Sequence, residues 1–278
     1  MPIRTLSQRA ILCFLVALPL SSQSAEHSNN QIETAVSEYL DGSHRTEKRK
    51  VRDSERHPAQ TLAFFGIEPD MHVVEFWPGG GWYSDILAPY LRDKGQLTVA
   101  SFDPAGNNAF RAKLESQMRA HFEKYPAVFD RVKISTLAPP DQLNIAAPGS
   151  ADAVLTFRSN HNWLKEFSLP QVYHAAFRAL KPGGLMGVVQ HRAKPGTTAS
   201  ESRKIGYMDE ALVIEMAENA GFVLEAKSEI NANPHDTKDH PAGVWTLPPS
   251  YRLGDQDREK YTAIGESDRM TLRFRKPQ

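Results

Sequence analysis

The residues best suited to chemistry form one short run that follows a buried apolar segment. The run is Arg158-Ser159-Asn160-His161-Asn162-Trp163, directly after Ala153-Val154-Leu155-Thr156-Phe157. An imidazole titrates near the working pH, so His161 is the best candidate for a general base. A buried, hydrogen-bonded His161 with a structural role remains an open alternative. The neighbouring candidates for orienting a substrate are Arg158, Asn160 and Asn162.

A second group of candidate residues lies much earlier in the chain. The apolar run Val73-Val74-Glu75-Phe76 ends beside a glycine cluster, Gly79, Gly80 and Gly81, and apolar residues then recur at helical spacing from Ile86. This order predicts a strand, a tight turn and a helix, the opening unit of a nucleoside-binding α/β domain. Glycines there allow the backbone to approach a ligand over the strand ends. Close packing of the helix on the sheet would also explain them, so both interpretations stay open.

The rest of the chain predicts the elements that position these residues. Apolar runs indicate strands at about 71–76, 97–102, 131–137, 152–158, 185–191, 222–229 and 270–275. Helical spacing indicates helices at about 82–92, 107–124, 169–180 and 208–220. Alternating strands and helices predict an α/β fold with a doubly wound, mostly parallel seven-stranded sheet. Ligands of such sheets lie beyond the carboxyl ends of the strands, where both groups of candidates fall.

The N-terminus has the pattern of a secretory signal. Arg4 and Arg9 precede the apolar residues 11–20, and small polar residues follow. Ten apolar residues are too few to span a bilayer, which predicts a signal peptide over residues 1–25, cleaved near Ser24 or Ala25. We therefore expect a periplasmic protein with no stable membrane insertion after cleavage. An uncleaved N-terminal anchor is the alternative.

The predicted mature chain consists of an N-terminal extension and a main domain that carries an insertion. Residues 26–66 predict a helical N-terminal extension, and residues 67–278 form the main domain with an insertion at about 230–269. The charges between Arg45 and Arg56 alternate in sign, which predicts a solvated helix face. The long insertion is a candidate lid over the site. Its possible metal ligands, His235, Asp236, Asp239 and His240, match no standard spacing, so no metal is assigned.

Composition excludes several classes of function. The 278 residues contain 33 Lys and Arg and 33 Asp and Glu, so net charge gives no reason to expect a nucleic-acid partner. A polyanionic substrate would need a local basic patch. The single cysteine, Cys13, lies in the predicted signal, so the mature protein would have no disulfide, thiol nucleophile or thiolate zinc site.

Several motifs together match one family. Ala179-Leu180-Lys181-Pro182-Gly183-Gly184 places a helix end and a proline-glycine turn before a buried strand, and Gly221-Phe222 follows an acidic helix. Further motifs are Arg56-His57-Pro58, Phe64-Phe65-Gly66, Trp77-Pro78-Gly79-Gly80-Gly81-Trp82-Tyr83, the 158–163 run and Asn233-Pro234. With these, residues 58–278 resemble class I S-adenosylmethionine-dependent methyltransferases. They resemble in particular a group of exported bacterial proteins known only as predicted methyltransferases.

The resemblance implies a cofactor, S-adenosyl-L-methionine, and a place for it. Glu75 and the glycines 79–81 would approach its amino-acid part, although Trp77 stands where the family has its first glycine. Asp103 would bind the ribose, with an Asx turn before Pro104 as the alternative. Asp141 would meet the adenine amino group, and a plain turn is the alternative there. The 158–163 run would lie at the acceptor.

The resulting prediction is a methyltransferase with a small-molecule donor that acts on a small or unidentified acceptor. The alternative is a non-catalytic periplasmic ligand-binding protein on a methyltransferase fold. A nicotinamide-dependent oxidoreductase is disfavoured because Trp77 and Ser84 occupy positions that its glycine pattern requires. No Gly-x-Ser-x-Gly elbow supports a hydrolase.

Overall fold

The computed structural model describes residues 20–278, with side chains from residue 26 onward. Residues 1–19 of the predicted signal peptide lie outside the described residues. Among the residues that the structure describes, no helix combines the length and apolar character needed to cross a bilayer.

Seven strands and twelve helices make up the described chain. The strands are β1 (His72–Phe76), β2 (Gln96–Ser101), β3 (Lys133–Thr136), β4 (Ala151–Phe157), β5 (Leu180–His191), β6 (Val223–Ser228) and β7 (Arg269–Arg275). The first helices are α1 (Leu20–Ser37), α2 (Glu47–Lys50), α3 (Asp53–Arg56), α4 (Pro58–Phe65), α5 (Ser84–Leu91) and α6 (Ala109–Lys124). The others are α7 (Pro126–Phe129), α8 (Asn160–Lys165), α9 (Leu169–Ala179), α10 (Ala199–Ile205), α11 (Glu210–Asn219) and α12 (Arg258–Ile264).

The strands form one sheet in the order β3-β2-β1-β4-β5-β7-β6. β1 to β5 pair in parallel, whereas β7 runs antiparallel to both of its neighbours. Strand order reverses between β1 and β4, which is where an open α/β sheet forms its ligand crevice. The predicted fold class, a doubly wound and mostly parallel seven-stranded sheet, is confirmed.

Both faces of the sheet are covered, and this explains the continuous apolar strands. Successive side chains of a strand point to opposite faces, so Val73 and Val74 enter different hydrophobic clusters. The cluster on the Val74 side includes side chains from α9 and α11. The cluster on the Val73 side includes α4 and α5.

The N-terminal helices extend this second layer. α1 packs on α4 and α5, and α4 reaches β7. Thr61 Oγ1 accepts a hydrogen bond of 2.9 Å from Asn231 Nδ2, which also donates to Thr271 Oγ1 over 3.0 Å. Asn231 therefore joins the helical N-terminal extension to the start of the 230–269 region and to β7. The exact domain boundaries stay predictions.

Most predicted elements occur within a few residues of the observed ones, with two instructive differences. β5 begins at Leu180 rather than 185, because Leu180 pairs with Ala151 and the Gly184 carbonyl accepts from the Lys276 amide over 2.8 Å. Residues 160–165 form α8, where the sequence predicted a loop. The second difference decides which side chains of the 158–163 run can meet a ligand.

Gly187 in the middle of β5 marks the tightest contact between the sheet and the N-terminal extension. A Cβ there would lie 2.7 Å from Leu155 Cδ2 and 2.9 Å from Phe65 Cδ2, both on fully buried side chains. We expect Gly187→Ala to lower the free energy of unfolding by about 1–3 kcal/mol through overpacking. Chemical denaturation measures this, with the exposed substitution Glu123→Ala as the control. Equal stability of the two variants would contradict the packing described.

Candidate active site

A cleft of about 670 Å³ lies at the carboxyl ends of β1, β4 and β5. Its floor comes from three strand ends: Glu75 and Gly79 after β1, Arg158 and Asn162 after β4, and His191 at the end of β5. One wall comes from the N-terminal extension and the other from the 230–269 insertion. The volume is within the range of small-molecule sites.

The glycine loop presents bare backbone to this cleft. Gly79 has φ +62°, and a Cβ there would meet no atom within 4 Å. Gly80 also lines the cleft, whereas Gly81 turns toward the helical layer, its Cβ position 3.4 Å from the Phe122 ring. Gly79 is thus the position at which a side chain would intrude on a ligand, as the tight-turn interpretation requires.

Trp77 occupies its turn with φ +43°, a left-handed conformation that is costly for a bulky residue. Its side chain turns inward and is 6% exposed, and its indole Nε1 donates to the Leu137 carbonyl over 2.8 Å. The ring centroid lies 4.9 Å from those of Phe102 and Trp163. Packing of the indole therefore offsets the backbone strain at the position where the resembling family has glycine.

Glu75 is a buried acid at the edge of the cleft. It is 2% exposed and accepts a hydrogen bond of 2.6 Å from Ser84 Oγ. Burial raises the pKa of Glu75 to about 8, and this effect exceeds the opposite effect of the Ser84 hydrogen bond. At neutral pH the side chain is mostly protonated and can donate a hydrogen bond to a ligand.

A second cavity of about 330 Å³ adjoins the cleft. It contains both acids predicted to bind the nucleoside, Asp103 and Asp141. Asp103 Oδ1 accepts from the Ala105 amide over 2.9 Å, so the Asx turn weighed as its alternative does form. Asp103 Oδ2 accepts from Gln142 Nε2 over 3.2 Å, and Asp141 is exposed. Neither acid lines the larger cleft that holds Glu75.

Trp77, Phe102 and Arg111 line both cavities and separate them. The Arg111 guanidinium lies 4.2 Å from the Trp77 ring centroid and forms a bidentate ion pair with Glu166. This partition was not predictable from the sequence, because Arg111 lies within a helix pattern of mixed charges.

The 158–163 run does not act as one group. Since α8 begins at Asn160, successive side chains are rotated by about 100°. Arg158, Ser159 and Asn162 line the cleft, whereas Asn160 and His161 face the protein. Asn160 Nδ2 donates to Tyr173 Oη over 2.6 Å, which is a core contact. Asn160 and His161 are not among the residues that line the cleft, and their catalytic assignment stays a prediction.

His161 has the burial and the hydrogen bond expected of the structural alternative. It is 7% exposed and accepts from Gln190 Nε2 over 3.2 Å. Burial lowers the pKa of His161 to about 4, so the ring is neutral at physiological pH. The imidazole that lines the cleft is that of His191, which was missed and whose Nδ1 lies 2.5 Å from Ser267 Oγ. Burial holds the pKa of His191 well below its usual range.

The charged segment before residue 57 is not a solvated face. Arg49, Arg52 and Arg56 line the cleft, and Arg56 is 3% exposed. Arg49 donates to the Gly80 and Gly81 carbonyls and pairs with the buried Asp85. The interpretation of this segment as a solvated face was wrong. An acid such as Asp53 pairs with Arg45 within the segment, whereas these three arginines turn toward the cleft.

The 230–269 insertion forms the second wall. Its cleft-lining residues include Val244, Trp245, Pro248, Pro249 and Glu266. The insertion therefore borders the cleft, and its function as a lid stays a prediction. Asp236 accepts from Tyr207 Oη over 2.9 Å and lies 2.8 Å from His240 Nε2, so both belong to a structural network. Within the described residues, no cluster of three His, Cys, Asp or Glu side chains is arranged to hold a metal.

Comparison with known proteins identifies the fold. No family model and no curated protein sequence matches the chain. Among solved structures, a protein from Galdieria sulphuraria assigned as a sarcosine dimethylglycine methyltransferase is 14% identical, with a TM-score of 0.56 over 90% of this chain and 98% of its own. The [4+2]-cyclase SpnF is 16% identical, with a TM-score of 0.56 over 93% and 97%.

A third similar structure is a geranyl diphosphate methyltransferase in complex with S-adenosylmethionine. It is 12% identical, with a TM-score of 0.51 over 86% of this chain and 94% of its own. The chain therefore has the Rossmann-like fold of class I S-adenosylmethionine-dependent methyltransferases. At such low identity the likeness establishes the fold alone, and one neighbour is named for a different reaction.

The buried acid predicts a pH dependence of stability. The pKa of Glu75 is about 8 in the folded protein against an ordinary 4.5, so the folded state holds the proton more tightly. The free energy of unfolding should therefore fall as pH rises through this window, by on the order of a few kcal/mol. We expect Glu75→Gln to remove this decline, measured by denaturation at successive pH values. The control is the exposed Glu215→Gln, and a wild-type profile parallel to that of Glu75→Gln would refute the assignment.

Proposed function

We propose that this protein is an S-adenosylmethionine-dependent methyltransferase that acts on a small-molecule acceptor. The observation that carries the proposal is the bare backbone of Gly79 beside buried Glu75, facing a cleft at the carboxyl end of β1 in a sheet of this order. The fold shared with methyltransferases supports the donor. The acceptor is not identified by the fold.

The residues present fit the donor in two parts. Gly79, Gly80 and the protonated Glu75 would hold its amino-acid part, since bare backbone and a hydrogen-bond donor face the cleft there. Asp103 and Asp141 would meet the nucleoside in the adjoining cavity. Asp103 retains acceptor capacity for ribose hydroxyls because each of its oxygens accepts only one hydrogen bond in the structure. Arg111 lies between the two parts.

The cleft residues favour a reaction that depends on alignment. When bound, the donor supplies an electrophilic methyl group on a sulfonium, so the protein has mainly to orient the acceptor. Arg158 and Asn162 are placed to orient it, and the neutral His191 can accept a proton or a hydrogen bond. Because its pKa lies well below the usual range, His191 is a weak base. Acceptors that need little deprotonation therefore suit this site best.

We further propose that the protein is exported to the periplasm and belongs with the exported bacterial group it resembles. The support is the sequence of residues 1–25, with two arginines, a short apolar run and a small-residue cleavage region. Export separates the protein from the cytoplasm, so the donor would have to reach it there.

Export makes a simple prediction. Produced in a bacterium, the full chain should be recovered in the periplasmic fraction, with a mature N-terminus near Ser24 or Ala25. Fractionation with N-terminal sequencing measures both. Replacing Leu15 and Val16 by arginine should block processing, because the apolar run is then interrupted. A cytoplasmic protein that keeps Met1 would refute the proposal.

Donor binding is tested at the glycine loop with a matched pair of variants. Gly79 and Gly149 have φ of +62° and +63°, and at both a Cβ would meet no atom within 4 Å. Gly79→Ala and Gly149→Ala therefore carry similar backbone strain, but only the first places a methyl group in the cleft. We expect Gly79→Ala to weaken binding of S-adenosylmethionine and S-adenosylhomocysteine about tenfold or more, and Gly149→Ala to leave it unchanged.

Calorimetric titration of the purified protein measures both affinities. Equal affinities in the two variants would place the donor elsewhere. Absence of saturable binding to the wild-type protein at millimolar donor would contradict the methyltransferase proposal and leave a ligand-binding protein on this fold.

A further inference from the structure

Four guanidinium groups gather on one side of the cleft. Arg52 and Arg56 come from the N-terminal extension, Arg158 follows β4, and Arg269 begins β7. Arg52, Arg56 and Arg158 line the cleft, and Arg269 is buried behind them. We call these four residues the arginine cluster.

One carboxylate serves three members of the cluster. Glu266 lies 2.6 Å from Arg52 Nε, 3.3 Å from Arg56 Nε and 2.6 Å from Arg269 Nη2. Burial alone would raise the pKa of Glu266, but the surrounding arginines outweigh this and lower it to about 2. Glu266 is therefore ionised at all physiological pH values, and its single charge is shared among three cations.

Arg158 has no counterion of its own. Among residues 26–278, no carboxylate lies within ion-pair distance of its guanidinium, and none of the hydrogen bonds found there involves its side chain. The nearby Glu75 is mostly protonated at neutral pH. Four positive charges thus face one full negative charge in a partly water-excluded cleft.

The cluster also contains unused hydrogen-bond donors. Arg56 is 3% exposed, lines the cleft, and its Nη1 has no partner within the described residues. A buried donor without a partner costs about 1–3 kcal/mol, and more when it is charged. Arg158 also has φ +60°, a strained conformation of a kind that concentrates at ligand sites.

We propose that the arginine cluster is an oxyanion subsite, which binds a carboxylate or phosphate group of the acceptor through Arg158 and Arg56. The planar guanidinium matches both groups in two-pronged geometry, and the excess charge favours an anion over a neutral ligand. The assignment of this anion to an acceptor rests on the proposed function. The subsite also supplies the local basic patch that the neutral overall composition does not predict.

The subsite is distinct from the contacts proposed for the donor. Arg49, the arginine next to the glycine loop, is committed to Asp85 and to the Gly80 and Gly81 carbonyls. Arg56 instead pairs with Glu266 of the insertion, and Arg158 lines the cleft without a counterion of its own. The amino-acid part of the donor also carries a carboxylate, so the test has to separate the two sources of the anion.

The first experiment uses inorganic phosphate and benzoate as probes, at constant ionic strength and without donor. Both should bind the wild-type protein saturably in calorimetry. Arg158→Gln should weaken each probe about tenfold or more, because a charged hydrogen bond is lost. Arg178→Gln is the matched control, since Arg178 lies at the end of α9 and outside the cleft. Absence of saturable binding, or equal loss in both variants, would overturn the subsite.

The second experiment assigns the anion to acceptor or donor. S-adenosylhomocysteine carries the amino-acid carboxylate and 5′-methylthioadenosine lacks it. We expect Arg158→Gln to bind both as the wild type does. Selective weakening of S-adenosylhomocysteine would overturn the acceptor assignment, because Arg158 would then hold the donor. Wild-type protein that binds phosphate but neither nucleoside would refute the proposed function while the oxyanion subsite still stands.

Arg56→Gln is a further variant for the phosphate titration, with its folding checked by circular dichroism.

Arg158→Lys distinguishes charge from geometry. If two-pronged binding matters, lysine should restore only part of the phosphate affinity, since it presents a point charge rather than a planar fork. Full recovery with lysine would overturn the two-pronged geometry.

Discussion

The buried carboxylate of Glu266 holds the cleft in shape. It joins Arg52 and Arg56 to Arg269, and Arg52 is separated from it by 214 positions in sequence. Removing one partner from a buried ion pair costs about 3–5 kcal/mol, because the remaining charges lose their compensation. Glu266 therefore fixes the N-terminal extension over the strand ends, and the open edge of the sheet becomes a walled cleft.

The same contact explains how a protein with no net charge has a strongly basic cavity. The N-terminal extension supplies basic groups to the cleft while its acids pair elsewhere, as Asp53 does with buried Arg45. Formal charge summed along a sequence cannot show this separation. Acidic and basic side chains that are neighbours in sequence point in different directions from the short helices α2 and α3. The arginines reach the cleft, and the acids do not.

The sheet was predictable because its signal is local. A strand covered on both faces is apolar at nearly every position, and Ala153–Phe157 shows this, with Thr156 as its one polar residue. The β1 turn was predictable for the same reason, since Gly79 needs a conformation that few other residues adopt. These features also led to the correct fold class and to the edge of the sheet at which the cleft lies.

The individual side chains of the site were less predictable because they depend on distant contacts. His161 and Arg158 are three positions apart, yet His161 in α8 contacts Gln190 whereas Arg158, before the helix, lines the cleft. His191 carried no sequence signal, since it is the last residue of an ordinary buried strand. Trp77 takes a glycine-like conformation only because Phe102 and Trp163 pack on its ring.

The pairing of Arg111 with Glu166 has a kinetic consequence for any ligand that spans both cavities. Such a ligand would pass the Arg111 side chain, which lies over the Trp77 ring and lines both cavities. An exposed ion pair contributes about 1 kcal/mol or less, and a cation over an aromatic ring about as much, so the barrier is low. Dissolved ions screen the pair over about 10 Å at 0.1 M. Movement of a ligand between the cleft and the second cavity should therefore become faster as ionic strength rises. The equilibrium occupancy of the two cavities by that ligand can still be set by their shape.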